Sequence, residues 1–127
     1  MTRMLINDFF SVQEKHSDSN RIEAALILNP EHAIFTGHFP QKPVVPGVCM
    51  VQIVREMIEA DRQIKLQLVL ADSIKFLNVI DPNETTSINL SVQISVDEVF
   101  QYKVAATIFS GEVIYFKLSG IFSIVNG

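Results

Sequence analysis

The chain has 127 residues, of which 48% are hydrophobic and 19% charged, so its length and apolar content suit one folded domain. Ten basic against fourteen acidic residues give a net charge of −4, which argues against a nucleic-acid interface because that needs a basic face. The single cysteine, Cys49, excludes an intrachain disulfide and a four-cysteine zinc site. No apolar run suits a signal peptide or approaches the roughly 18 residues of a membrane span. We expect one cytoplasmic domain, 1–127, without contact with nucleic acid or membrane.

The amino-terminal half predicts a β-hairpin followed by a helix. Residues 9–15 and 21–28 flank a polar turn cluster, which is typical of two paired strands. The helix begins at Pro46-Gly47 and continues to about Ala60, with an apolar face that includes Val54 and Met57. Its narrow polar stripe, which we interpret as a solvated face, consists of Gln52, Arg55, Glu56 and Glu59.

The carboxyl-terminal half predicts strands. Residues 64–80 are apolar and β-branched and predict a long strand that bends near Asp72. Residues 88–96 alternate strictly between apolar and polar, and two more β-rich runs, 99–109 and 113–125, follow across short turns. These three runs predict an antiparallel meander. A largely apolar helix among long strands must be covered by them, so we expect an α+β fold with one helix inside a curled antiparallel sheet.

The segment before the helix is an irregular loop that is stiffened by prolines. Residues 32–47 contain three prolines, two glycines and two histidines. Proline fixes its backbone φ angle, and such a loop holds a side chain in place. His38 titrates near neutral pH and suits a general base, while the helix start offers unpaired backbone N–H groups to an oxyanion. A base beside an oxyanion site is what proton abstraction next to a thioester carbonyl requires.

The loop sequence Gly37-His-Phe-Pro-Gln-Lys-Pro-Val-Val-Pro-Gly-Val48 resembles the G-H-F-P-x-x-P-x-x-P-G-V signature of the 3-hydroxyacyl-acyl-carrier-protein dehydratases of the FabZ/FabA type. A second stretch from Asp72 to Pro82 is similar to another segment of that family, and the resemblance covers roughly residues 20 to 125. It implies the hot-dog fold, a long central helix wrapped by a curled antiparallel sheet of five to six strands. This chain lacks the family's longer amino-terminal segment.

The resemblance also implies roles for individual residues. His38 would remove the α-proton of a 3-hydroxyacyl thioester, and the backbone N–H groups of Gly47 and Val48 would hold the thioester oxygen. No metal or organic cofactor is implied. Three aromatic side chains are candidates for an acyl tunnel, although aromatic residues in strands are more often plain core. These candidates are Phe35, Phe39 and Phe76.

The chain departs from the family at the acid. The family carries Glu or Asp fourteen residues after the histidine, where it protonates the leaving hydroxyl, and this chain has Gln52. An amide has no strongly acidic proton to donate. Glu56 lies one helical turn further on, where the family commonly has glutamine, so it either reaches the site through Gln52 or a water or belongs to the solvated stripe. Cys49 is either a thiol activated at the helix start or a small core residue, and we favour the core.

These features favour a dehydratase-like protein that converts 3-hydroxyacyl groups on acyl carrier protein to trans-2-enoyl thioesters. Two alternatives remain: a non-catalytic acyl-binding subunit that pairs with a complete dehydratase, and, more weakly, a hot-dog acyl thioesterase. The expected partners are acyl carrier protein and a second subunit, in a homodimer, a larger assembly of dimers, or a heterodimer with another dehydratase. One helix cannot cover the apolar faces of five or six strands, so the site is expected at a dimer interface.

Overall fold

The computed structural model of the chain describes residues 4–36 and 43–125. A long helix, α1, spans Gly47–Arg62, which confirms the predicted helix and extends it two residues beyond Ala60. A short 3-10 helix spans Ala33–Phe35. The strands are β1 (Phe10–Ser17), β2 (Arg21–Leu28), β3 (Leu66–Phe76), β4 (Ser87–Val96), β5 (Gln101–Ser110) and β6 (Val113–Ile124).

All six strands belong to one antiparallel sheet with the order β1-β2-β4-β5-β6-β3. The hairpin β1–β2 and the meander β4–β5–β6 are both confirmed. The chain leaves α1 into β3, which pairs with β6 at the far edge of the sheet. The two strands that flank the helix in sequence, β2 and β3, are therefore separated by the whole meander.

The sheet and the helix enclose a single core. Strands β4 and β5 bury alternate residues, as the period of two predicts, and α1 contributes side chains with no exposed surface, such as Ile53 and Ile58. Every strand supplies at least one residue to the same cluster. This is the predicted hot-dog fold, with a helix buried against a six-stranded sheet. The buried face of β4 and β5 consists of Ile88, Leu90, Val92, Ile94, Val104, Ala106 and Ile108.

Strand β3 is irregular where it crosses β6. Its register with β6 shifts between Leu68 and Leu70 and again between Ala71 and Ser73, so two single-residue bulges lie close together. The second bulge coincides with Asp72, where the sequence predicts a bend. Between the bulges the backbone of β3 approaches Gly120 so closely that a Cβ atom there would lie 2.6 Å from the carbonyl oxygen of Leu70.

The prediction of a solvated polar stripe on α1 is wrong for two of its four residues. Glu56 has 0% of its surface exposed and Glu59 is also buried, while Gln52 and Arg55 are half-buried. The cause is that other segments cover this side of the helix: the amino-terminal residues lie against Glu56, and the start of β3 lies against Glu59. Buried charges of this kind persist only when hydrogen bonds satisfy them.

Replacing Gly120 by alanine tests the close approach between β3 and β6. The added methyl group meets backbone rather than a movable side chain, so we expect Gly120→Ala to lower the free energy of unfolding by about 1–3 kcal/mol. The neighbouring Ser119→Ala, at an exposed position of the same strand, is the matched control and should change stability by less than about 0.5 kcal/mol. Urea unfolding followed by circular dichroism measures both. Equal stability of the two variants would contradict the close packing.

Candidate functional site

The start of α1 is exposed and lies beneath an aromatic ring. Pro46 is the residue before the first helical turn and makes no side-chain capping bond, so the first N–H groups of the helix gain no partner from a capping side chain. A Cβ atom on Gly47 would lie 2.7 Å from Cε1 of Phe76, so the absence of a side chain lets this ring cover the helix start. The Val48 side chain is 71% exposed. Of the two residues predicted to hold the thioester oxygen, Gly47 is half-buried beneath this ring and Val48 is exposed.

The three aromatic candidates have different surroundings. Phe35 is buried, and its ring centroid lies 5.4 Å from that of Phe9, so it packs as part of the core. Phe76 is 56% exposed and packs against Phe116 at 5.5 Å. Phe39 and the predicted base, His38, lie outside the described residues. The tunnel and base assignments therefore stay predictions.

Gln52 and Glu56 lie one turn apart on α1, and their side chains are in direct contact. The amide nitrogen of Gln52 donates a hydrogen bond of 2.6 Å to Oε2 of Glu56. Because a carboxylate only accepts, this contact fixes which end of the Gln52 amide faces Glu56. Gln52 stands where the family has its acid, and Glu56 stands where the family commonly has glutamine. The structure joins these two side chains as hydrogen-bond donor and acceptor.

The Glu56 carboxylate also binds the amino-terminal backbone. The N–H of Leu5 donates to both carboxylate oxygens, at 2.9 and 2.8 Å, and the N–H of Ile6 donates to Oε1 at 2.8 Å. Together with Gln52, three donor groups share one buried carboxylate. Backbone N–H groups carry no sequence signature, so the residue pattern gave no means of identifying Leu5 and Ile6. The burial itself was foreseeable, because a helix enclosed by a sheet has little room for a solvated stripe.

The other two carboxylates of α1 also hold neighbouring strands. Glu59 accepts the backbone N–H of Leu66, at the start of β3, at 2.8 Å. Asp61 lies 2.9 Å from the Lys15 ammonium and accepts a 2.8 Å bond from the Ser17 hydroxyl, which ties the end of β1 to the helix. Burial alone would raise the pKa of Asp61, but these hydrogen bonds outweigh it and hold that pKa below its ordinary value.

His32 holds the segment that leads into the Gly37–Val48 sequence motif. Its Nδ1 accepts the N–H of Ile34, which caps the short 3-10 helix, and its Nε2 lies 3.1 Å from Oδ2 of Asp8. His32 thus has a structural role in the described part of the chain. Within residues 4–36 and 43–125, no three His, Cys, Asp or Glu side chains are grouped to hold a metal ion.

Cys49 is a core residue. Its side chain is buried, and burial together with the nearby charge of Glu56 raises the pKa of the thiol to about 11. A thiol with such a pKa is almost entirely protonated at neutral pH and is a poor nucleophile. The preferred interpretation of Cys49 is therefore confirmed, and its position in the first turn of α1 does not activate it.

Both a protein-family model and curated proteins that match this chain are dehydratases. The ApeI-like family model, described as ApeI dehydratase, matches residues 13–112. The 3-hydroxyacyl-[acyl-carrier-protein] dehydratase FabZ of Rickettsia massiliae (strain Mtu5) is 28% identical over 87 residues, covering 62% of this chain and 59% of the relative. The FabZ of Rickettsia bellii (strain OSU 85-389) is 32% identical over 66 residues, 46% of each chain. The chain therefore spans less than two thirds of the length of these curated relatives.

Solved structures share the fold at lower sequence identity. An uncharacterized protein from Erwinia carotovora subsp. atroseptica matches with a TM-score of 0.63 and 21% identity, covering 90% of this chain and 94% of that one. The dehydratase heterocomplex ApeI:P from Xenorhabdus doucetiae gives a TM-score of 0.69 at 17% identity, covering 87% and 95%. These matches support the hot-dog fold. In the described residues, no helix is long and apolar enough to cross a bilayer.

The burial of Cys49 predicts slow chemical modification. Because the thiolate is the reactive form and a pKa of about 11 leaves little of it, the folded protein should react with Ellman's reagent at pH 8 about 10²-fold more slowly than the unfolded chain. The chain has no other cysteine, so the absorbance reports this thiol alone. The same protein in guanidinium chloride is the control. Equally fast labelling in both conditions would show that the thiol is accessible.

Proposed function

Because the chain belongs to the ApeI-like family of dehydratases, we propose that it is a dehydratase-type subunit for 3-hydroxyacyl thioesters of acyl carrier protein, completed by a second subunit. The substrate class follows the name of its curated relatives, the 3-hydroxyacyl-[acyl-carrier-protein] dehydratases. One observation carries the need for a second subunit: all three carboxylates of α1, the element that bears the acid in the family, are engaged in holding other segments.

The proposed reaction divides between a base, an oxyanion site and an acid. His38 takes the proton from C2, the electron pair of that C–H bond forms the C2–C3 double bond, and the C3–O bond breaks. The N–H groups of Gly47 and Val48 stabilise the negative charge that develops on the thioester oxygen. The departing hydroxide needs a proton to leave as water. This chemistry needs no metal or organic cofactor.

The acid is the part that this chain does not supply. The Gln52 amide has no strongly acidic proton, and the Glu56 carboxylate accepts bonds from the N–H groups of Leu5 and Ile6 and from Gln52. If Glu56 were protonated, its hydroxyl hydrogen would face these N–H donors, and the hydrogen bonds that attach the amino-terminal residues would weaken. The acid therefore comes from a second subunit with a different sequence, because another copy of this chain would bring the same Gln52. A structural neighbour, the ApeI:P dehydratase, is a heterocomplex, which supports a two-subunit arrangement.

The surface near the helix start supports such pairing. Strand β3 lies at the edge of the sheet, and together with the residue that follows it exposes four large apolar side chains. An edge strand also offers unpaired backbone groups to another chain. The proposed interface of a homodimer or heterodimer lies along this edge, next to Gly47. Phe76, which lies over Gly47, would border the acyl chain together with Phe39. The exposed apolar side chains are Val69, Leu70, Phe76 and Leu77.

Restoring an acid at position 52 tests the proposed function. We expect the wild-type chain alone to dehydrate 3-hydroxyacyl carrier protein slowly, and Gln52→Glu to raise the rate by about 10²-fold or more. The new carboxyl group would lie next to Glu56, where the present contact is 2.6 Å. Two carboxylates so close cannot both be ionised, so the pair keeps a proton to donate at neutral pH. Formation of the enoyl thioester, followed by mass spectrometry, measures the rate.

The matched control is Gln93→Glu, which makes the same chemical change at an exposed position of the interior strand β4 and should leave the rate unchanged. The increase in dehydration rate in Gln52→Glu should also disappear when His38→Ala is added, because the reaction needs both the base and the acid. Fast turnover by the wild type alone, reduced by Gln52→Glu, would contradict the missing acid and favour a complete dehydratase.

A charge on the β3 edge tests the proposed interface. We expect the isolated chain to be a dimer, and Leu70→Asp to raise its dissociation constant by about a hundredfold or more, because an unpaired buried charge costs about 3–5 kcal/mol. Val99→Asp, at a 71% exposed position of the β4–β5 turn, is the control and should leave the dimer intact. Light scattering across a dilution series measures the dissociation constant. A monomeric wild type, or dissociation by both variants, would argue against this edge as the interface.

A further inference from the structure

The amino-terminal residues form a compact turn against the core. The carbonyl oxygen of Leu5 accepts the N–H groups of Asp8, Phe9 and Phe10, at 3.1, 2.7 and 3.2 Å, and Asn7 adopts a positive φ of 66° within the loop. Phe9 and Phe10 are fully buried. These residues, 5–10, are called the N-terminal turn below. Its two ends contact different parts of the candidate site.

The first contact reaches the helix. The N–H groups of Leu5 and Ile6 converge on the Glu56 carboxylate, whose remaining bond goes to the amide nitrogen of Gln52. Hydrogen bonds to a charged acceptor are shorter and stronger than neutral ones, and here the acceptor is buried, where an unsatisfied charge is costly. The orientation of the Gln52 amide and the attachment of the turn thus depend on the same carboxylate.

The second contact reaches the segment that leads into the predicted base. The Phe9 ring packs edge-on against His32, with centroids 5.3 Å apart, and also against Phe35. The Asp8 carboxylate lies 3.1 Å from Nε2 of the same histidine. The turn thus holds residues 32–35, and Phe35 lies three residues before His38 in the sequence.

We infer that the N-terminal turn positions Gln52, with Glu56 as the positioning residue that couples the two, and that it also holds residues 32–35. The coupling between the turn and Gln52 is reciprocal: releasing the turn from Glu56 frees the Gln52 amide, and disturbing Gln52 loosens the turn. Any partner that displaces residues 5–10 would therefore change the surroundings of Gln52 from outside the site. The inference rests on the proposed function only in assigning Gln52 to the site.

Nuclear magnetic resonance of the full chain with Glu56→Gln tests the coupling. An amide can accept at only one of its two ends, so its NH2 group must face either the N-terminal turn or Gln52, both of which are donors. We expect hydrogen exchange of the Leu5 and Ile6 amides to accelerate by about tenfold or more. The side-chain NH2 signals of Gln52 and the ring signals of His32 should also shift.

Glu59→Gln is the matched control, because it removes a second buried carboxylate of α1 that touches neither the turn nor Gln52. It should accelerate exchange at Leu66, whose N–H it binds, and leave the signals of Gln52 and His32 unchanged. Unchanged Gln52 or His32 signals in Glu56→Gln, or equal shifts in the control, would overturn the inference. These exchange rates and chemical shifts do not depend on turnover. A failed dehydration assay would therefore contradict the proposed function without contradicting the coupling, and unchanged signals would contradict the coupling without contradicting the proposed function.

The exchanged double variant Gln52→Glu with Glu56→Gln keeps the inference testable if the single variant does not fold. It retains one carboxylate and one amide: the new amide at 56 can accept from the turn with its oxygen and donate to the carboxylate at 52. We expect exchange at Leu5 and Ile6 to return to within about threefold of the wild-type rate, since every donor again has an acceptor. A double variant that unfolds, or exchanges as fast as the single one, would overturn the coupling through Glu56.

Discussion

Burial of α1 is the constraint on which the other features depend. A helix enclosed by a sheet cannot keep a charged side chain unless the chain itself provides a partner, because desolvating an unpaired carboxylate costs far more than folding can offset. Glu56, Glu59 and Asp61 meet that requirement by binding the N-terminal turn, the start of β3 and the end of β1. Three segments, two of them remote in sequence, are thereby fixed to one rigid element.

The same constraint bears on the chemistry of the site. A general acid must hold a proton on the oxygen that releases it, whereas both Glu56 carboxylate oxygens already accept N–H bonds. Glu56 cannot serve well in both roles at once. The exchange of glutamine and glutamate along α1 thus links the attachment of the amino-terminal residues to the proposed requirement for an acid from a second subunit.

The sequence predicted the fold well because its signals are local. Strict alternation in 88–96 placed β4, and Pro46-Gly47 placed the start of α1 to within a residue. The solvation of Glu56 was mispredicted because helical periodicity defines a stripe but not what covers it. Glu56 is covered by the backbone N–H groups of Leu5 and Ile6, about fifty residues away in the sequence. Because every residue except proline has such a group, the side-chain pattern does not indicate which residues bind Glu56.

The two bulges of β3 restrict what can add to the edge of the sheet. A flat, regular edge accepts strand after strand and so invites open-ended fibrils, whereas each bulge breaks the run of regular backbone donors and increases the local twist. In β3 the bulges follow one another within six residues, so only short stretches keep an uninterrupted hydrogen-bonding register. An edge of this shape is therefore less suited to a growing filament than to pairing with a single partner strand.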